Sequence, residues 1–110
     1  MRRLLITLAA AAALPALAAP DAAPDTQRQR ELVRMVRQDC GSCHGMTLAG
    51  GLGPALTRAA LADKPLDSLE AVIEHGRPGT PMPPWRSMLR AGESRWIAER
   101  LLAGFPEESR

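Results

Sequence analysis

The sequence predicts an all-α domain: three to four helices wrapped around a flat apolar body that the chain itself does not encode. Three observations lead there. Apolar residues recur at helical spacing in several short segments divided by glycine and proline, and nothing between them reads as a βαβ unit. The part of the chain expected to fold is small and has only Phe105, Trp85 and Trp96 as aromatics and two cysteines. A domain of that size struggles to bury enough apolar surface unaided. Finally, Cys40-Gly41-Ser42-Cys43-His44 has the C-x-x-C-H spacing of a c-type haem attachment site. A covalently held haem would supply the missing core.

The first element is not part of the fold. Arg2 and Arg3 precede a short apolar run, Leu4 to Leu14, and Ala16-Leu17-Ala18 offers an A-x-A cleavage site. This is the pattern of a secretory signal peptide, expected to span residues 1–18. A retained membrane anchor is the alternative, but the run is short for a bilayer and has no stop-transfer continuation. Removing 18 of 110 residues leaves 92, and removing two of 14 basic residues leaves 12 against 12 acidic. The mature chain is then near neutral, which takes away the best argument for nucleic-acid binding.

Residues 19–26 read as a flexible lead-in and residues 27–106 as one domain. A first helix is expected from Asp25 or Thr26, both good N-caps, to about Asp39. Leu32, Val33, Val36 and Cys40 form its apolar stripe. Arg28, Arg30, Arg34 and Arg37 lie on or beside the opposite face, which is read as solvated. Residues 46–56 form a loop whose Gly50, Gly51 and Gly53 would let backbone pass close to a bulky neighbour, the haem ring being one candidate. Simple flexibility explains them equally well. A turn or two of helix capped by Thr57 comes next. Another helix is expected over 68–75, with Leu69, Val72 and Ile73 inward and Gly76 ending it. Residues 75–85, rich in proline, can be neither helix nor central strand, and Met82 is held stiffly among them. The last helix is expected over 92–103, burying Trp96, Ile97 and Leu101 and closed by Gly104-Phe105-Pro106. Residues 107–110 should fray.

The motif has a stereochemical logic. Side chains three and four apart share a helix face, so Cys40, Cys43 and His44 can point the same way. Two thiols could then add to the two vinyl groups of one haem edge, with the imidazole of His44 under the iron. A bare C-x-x-C could also be a disulfide or a thioredoxin-like pair, or join His44 and His75 around zinc. A thioether held between prolines suits a metal ligand, although a loop methionine is more often core filler. His75 could take the place of Met82. Met46 is too near His44 in the chain, Met88 lacks a rigid loop, and Met35 is explained by helix packing.

Taken together, Cys40-Gly41-Ser42-Cys43-His44, Gly53-Pro54, Met82-Pro83 and Trp96-Ile97 resemble a class I (monohaem) cytochrome c in order over residues 28–105. More narrowly, residues 38–56 and 75–85 are similar to cytochrome c55X, a small periplasmic cytochrome associated with cytochrome cd1 nitrite reductase in denitrifying bacteria. The resemblance implies the small cytochrome c fold around one haem c. It implies thioether bonds from Cys40 and Cys43, His44 as proximal and Met82 as distal iron ligand, and the Pro54 carbonyl accepting the other ring N–H of His44. It also implies that the first and last helices cross at Trp96. Here Leu32 and Val36 stand where the commoner pattern has a glycine and an aromatic.

Two protein ligands leave no open iron position, which favours one-electron transfer over catalysis, and a His/Met pair raises the reduction potential. The expectation is a periplasmic electron carrier, monomeric and not an enzyme, docking transiently with periplasmic redox proteins. Cytochrome cd1 nitrite reductase is the expected acceptor. The alternatives are an accessory electron role with a haem d1 maturation enzyme, or a haem-based ligand sensor.

Overall fold

A computed structural model describes residues 10–15 and 22–109. The arginine-bearing start, the cleavage site at 16–18 and residues 19–21 of the lead-in lie outside the described residues. Residues 10–15 form no regular element. Among the described residues there is no strand, and all regular structure is helical.

Helix α1 (Thr26–Met35) starts where its cap dictates. Asp25 is extended, and its carboxylate accepts the Arg28 N–H at 2.8 Å, satisfying one of the first-turn donors that have no helical partner. The expected run to Asp39 does not stay α-helical. Val36–Cys40 forms a π turn, with the Gly41 N–H reaching back to the Val36 carbonyl, and α2 (Gly41–His44) continues into the C-x-x-C-H motif. A single π turn inside a helix rotates the later residues about the helix axis relative to the earlier ones.

Helix α3 (Arg58–Leu61) is one turn, its Ala60 N–H donating to Thr57 Oγ1 at 3.3 Å. Helix α4 (Leu66–His75) begins two residues before the sequence suggests. Its N-cap is Pro65, whose carbonyl accepts from Ser68 and Leu69. The missing proline N–H costs nothing there, because the first helical donors are unpaired in any case. Helix α5 (Glu93–Ala103) runs between Gly92 and Gly104, both with positive φ. Among the described residues there are thus four α-helical rods, α1 and α2 sharing one, and a 3-10 turn at Arg86–Met88.

The core is one cluster: Leu32, Val33 and Val36 from the first rod, Trp96, Ile97 and Leu101 from α5, and Leu48 and Leu61 from the segments between. Leu32 and Val36 are completely buried, each worth roughly 1.5–3 kcal/mol of transfer free energy. The backbone of α5 lies closest to α4. Towards α1 it is reached through side chains, consistent with the bulk of Leu32 and Val36.

Two arginines depart from the expected solvated face. Arg28 grips Glu93, which is 3% exposed, through both carboxylate oxygens at 2.8 Å, tying α1 to the start of α5. Arg37 is 8% exposed and hydrogen-bonds the carbonyls of Phe105 and Pro106. In the tail, the exposed Glu107 and Glu108 carboxylates accept from Arg37 and Gln38 at 3.2 and 3.4 Å. The physical reason is the same at both sites: a guanidinium's long apolar stem lies along a core while its planar head reaches several acceptors.

Candidate haem-binding site

The motif and the loop after it form one hydrogen-bonded unit. A helix end leaves its last carbonyls unpaired, and the loop supplies their donors. The Gly53 N–H donates to the Cys43 carbonyl at 2.8 Å and the Gly50 N–H to the His44 carbonyl at 2.8 Å. Leu48, at φ +60°, is buried beneath this loop and accepts the Leu56 N–H at 2.8 Å.

His44 is buried, with Nδ1 at 2.7 Å from the Pro54 carbonyl oxygen. A carbonyl oxygen can only accept, so this bond assigns the ring hydrogen to Nδ1 and leaves the lone pair on Nε2. The loop glycines do approach something bulky, and their neighbour is the motif itself. A Cβ on Gly53 would lie 2.8 Å from both Nδ1 and Cε1 of His44, and one on Gly51 would lie 2.7 Å from the Cys43 carbonyl oxygen. Only glycine lets the loop come that near the imidazole.

Cys40 is half-buried and Cys43 exposed, and no disulfide joins them. Burial, and secondarily the Asp39 carboxylate, push the Cys40 thiol up to about 11. That is opposite to the depressed value of a thioredoxin-like nucleophile. Among the described residues no group of three or more His, Cys, Asp and Glu side chains converges as a metal cage, and His75 stands exposed at the end of α4. The zinc arrangement therefore has no assembled ligand set.

Met82 belongs to a second unit. The Arg77 N–H donates to the Met82 carbonyl at 3.2 Å, and the Met82 N–H donates to Thr80 Oγ1 at 3.3 Å. Thr80 in turn donates its hydroxyl to the Arg77 carbonyl at 2.6 Å. Gly76, at φ +68°, is pressed against this strap: a Cβ there would meet the Met82 carbonyl oxygen, Pro83 C and Pro84 N, all at 2.7 Å. The Trp85 N–H returns to the Ile73 carbonyl at 3.0 Å. Met82 is half-buried, whereas Met46 and Met88 are exposed and Met35 packs against the core. Among the described residues no backbone hydrogen bond joins the motif unit to the Met82 unit.

The donor set suits a haem. An imidazole presents Nε2, two thiols lie three residues apart on the same rod, and a thioether sits on a braced strap. Leu56, Leu69, Ile73 and Leu89 are half-buried apolar residues beside the core, the kind of side chain a flat apolar ring would cover. Sequence reasoning missed the roles of Arg28, Arg37 and the Ser94–Glu74 hydrogen bond between α5 and α4. Both arginines carried a signal: Arg28 lies four residues before Leu32 and Arg37 four after Val33, so each flanks the buried stripe.

Known proteins decide the family. Residues 27–99 match the family model described as cytochrome c oxidase, cbb3-type, subunit III, a c-type cytochrome domain. The chain is 55% identical over 86 residues to cytochrome c55X of Stutzerimonas stutzeri, covering 78% of this chain and 76% of that protein. It is 50% identical over 101 residues to cytochrome c55X of Pseudomonas aeruginosa, covering 92% and 83%. The chain belongs to the cytochrome c55X family. Among solved structures it resembles a c-type cytochrome, NirC, with TM-score 0.71 and 54% identity, over 73% of this chain and 94% of that one. It also resembles part of the dihydro-haem d1 dehydrogenase NirN, with TM-score 0.60 and 31% identity, over 70% of this chain and 16% of that one. As a cytochrome c55X, the protein is a c-type cytochrome with the small all-α cytochrome fold, covalent haem c as cofactor and electron carriage as its role. No helix among the described residues is long and apolar enough to cross a membrane.

Proposed function

We propose that this cytochrome c55X is a periplasmic one-electron carrier whose haem is held by thioethers from Cys40 and Cys43. His44 Nε2 and the Met82 sulfur would hold its iron. The observation that carries this is the 2.7 Å contact between His44 Nδ1 and the Pro54 carbonyl, which fixes both tautomer and ring orientation for a ligand at Nε2. The bound haem supplies an iron that gains and loses one electron. The protein's part is to hold two ligands rigidly, so that little rearranges as the charge changes. The glycine loop braces His44, and the Arg77–Thr80–Met82 strap braces the thioether. With both positions taken, small molecules have no open site, which supports carriage without catalysis. His75 is the alternative distal ligand, and ligation by it would lower the potential relative to methionine.

The partner we propose is cytochrome cd1 nitrite reductase, in a denitrification setting, with this chain as electron donor. Export is supported by the signal-like residues 1–18 and by the oxidising, extracytoplasmic setting in which c-type haem is attached. Likeness to part of a dihydro-haem d1 dehydrogenase supports a second reading, in which the chain exchanges electrons with an enzyme of haem d1 synthesis. Stopped-flow mixing separates the two. The reduced protein is expected to reoxidise rapidly when mixed with oxidised nitrite reductase, faster at low ionic strength if docking is charge-steered. No reoxidation with nitrite reductase, together with reduction by a dehydrogenase turning over dihydro-haem d1, would move the chain to the synthetic role.

A further inference from the structure

The π turn before the motif has a dedicated support at the far end of the chain. In a continuous α-helix Cys40 would stack over Val36, four residues earlier. The π turn rotates it about the helix axis from that position, while Leu32, Val33 and Val36 anchor the first rod in the core, beside which Cys40 still packs. π turns are rare and occur mostly as single turns inside α-helices, frequently at functional sites. Arg37, inside the turn, sends Nη2 to the Phe105 carbonyl at 2.8 Å. It also sends Nε and Nη2 to the Pro106 carbonyl at 3.1 and 3.0 Å. The guanidinium stacks 5.6 Å from the Phe105 ring centroid and reaches the Glu107 carboxylate at 3.2 Å. Gln38, the next residue, donates to Glu108 at 3.4 Å.

We infer that residues 105–108, gripped by Arg37, are a clasp that holds the π turn and so orients Cys40 for the haem. Arg37 is thus a positioning residue for the redox centre. The inference rests on the proposed Cys40, Cys43 and His44 attachment only for its redox consequence; the clasp itself is a property of the chain. Glu107 is exposed and secondary to the two carbonyls. Lysine at position 37 would keep the charge but lose the planar fork, so it is expected to restore little.

The test uses the exported, haem-loaded full-length chain, with Arg37→Gln, Arg37→Lys and a chain ending at Gly104, and Arg95→Gln as a surface control. Amide exchange over residues 36–41 is expected to speed up at least tenfold in all three test variants and not in the control. The reduction potential and the methionine-to-iron far-red band are expected to shift in the same three. Unchanged exchange over 36–41 would overturn the clasp. Lower melting temperatures with unchanged potential and band would overturn the positioning role. A parent protein lacking the far-red band would instead count against Met82 ligation, leaving the exchange result to judge the clasp by itself.

Discussion

Gly53 is the position at which a single methyl group should disturb the site most. An alanine Cβ there would sit 2.8 Å from His44 Nδ1 and Cε1, about 0.6 Å inside a comfortable contact of roughly 3.4 Å or more. Either the imidazole moves by about that amount or the loop does. Moving the ring stretches its 2.7 Å bond to Pro54 towards about 3.3 Å, at the weak end of the hydrogen-bonding range. Moving the loop weakens the 2.8 Å bond from the Gly53 N–H to the Cys43 carbonyl. Overpacking costs about 1–3 kcal/mol, and weakening a buried hydrogen bond adds up to about 1 kcal/mol, so Gly53→Ala should destabilise the holoprotein by about 1–4 kcal/mol. The assay is guanidinium unfolding monitored by haem absorbance, with proton NMR of the His44 Nδ1–H. Gly79→Ala is the control. It has φ +78° but an added Cβ meets nothing within 4 Å, so only backbone strain of about 1 kcal/mol applies. A Gly53→Ala protein within about 0.5 kcal/mol of the parent, with the Nδ1–H resonance unmoved, would refute the claim that glycine is required by the approach to His44.

Three further outcomes are expected from the contacts described above. Glu93→Gln leaves Arg28 with the exposed Glu31 as its remaining carboxylate partner and should cost about 3 kcal/mol by thermal or chemical denaturation, the low end for a broken buried pair; a loss below about 0.5 kcal/mol, the size of an ordinary surface change, would contradict it. The Arg28 guanidinium, chiefly by hydrogen bonding, holds the Glu93 carboxyl below its ordinary 4.5. Its stabilisation is therefore full above the unfolded value and is lost as pH falls below about 4.5 through the lower folded value. Glu93→Gln should flatten stability against pH in that acid range, and an unchanged profile would refute the assignment. Replacing both Cys40 and Cys43 by alanine should leave a haem-free chain with no cooperative thermal transition, since the ring completes the core; a cooperative melt would show that the core of Leu32, Val36 and Trp96 suffices.

Much of this architecture is legible in the sequence because its determinants are local. Asp25 and Thr57 cap helices α1 and α3 within three residues of their partners, and Gly76 and Gly104 end α4 and α5 through their own φ angles. The spacing of Cys40, Cys43 and His44 is likewise complete within five residues. What escapes are contacts made by closure. Arg28 and Glu93 lie 65 residues apart, and Arg37 finds its acceptors 68 and 69 residues away; the arginines' place beside the buried stripe hints at burial but does not name the partner. The π turn is illegible for another reason. The apolar spacing of Leu32, Val36 and Cys40 suits an unbroken α-helix, and tertiary contacts to Arg37 and Val36 override it. The loop glycines are ambiguous because composition tells that backbone comes close to something, not what that something is.

The most direct test of the central claim is an absorption spectrum of the oxidised protein, expressed with haem-maturation machinery and purified from the periplasm. The account predicts a covalent haem with the weak far-red band of methionine sulfur on ferric iron, lost in Met82→Ala and kept in His75→Ala. A c-type haem without that band, or a band that survives in Met82→Ala, would contradict it.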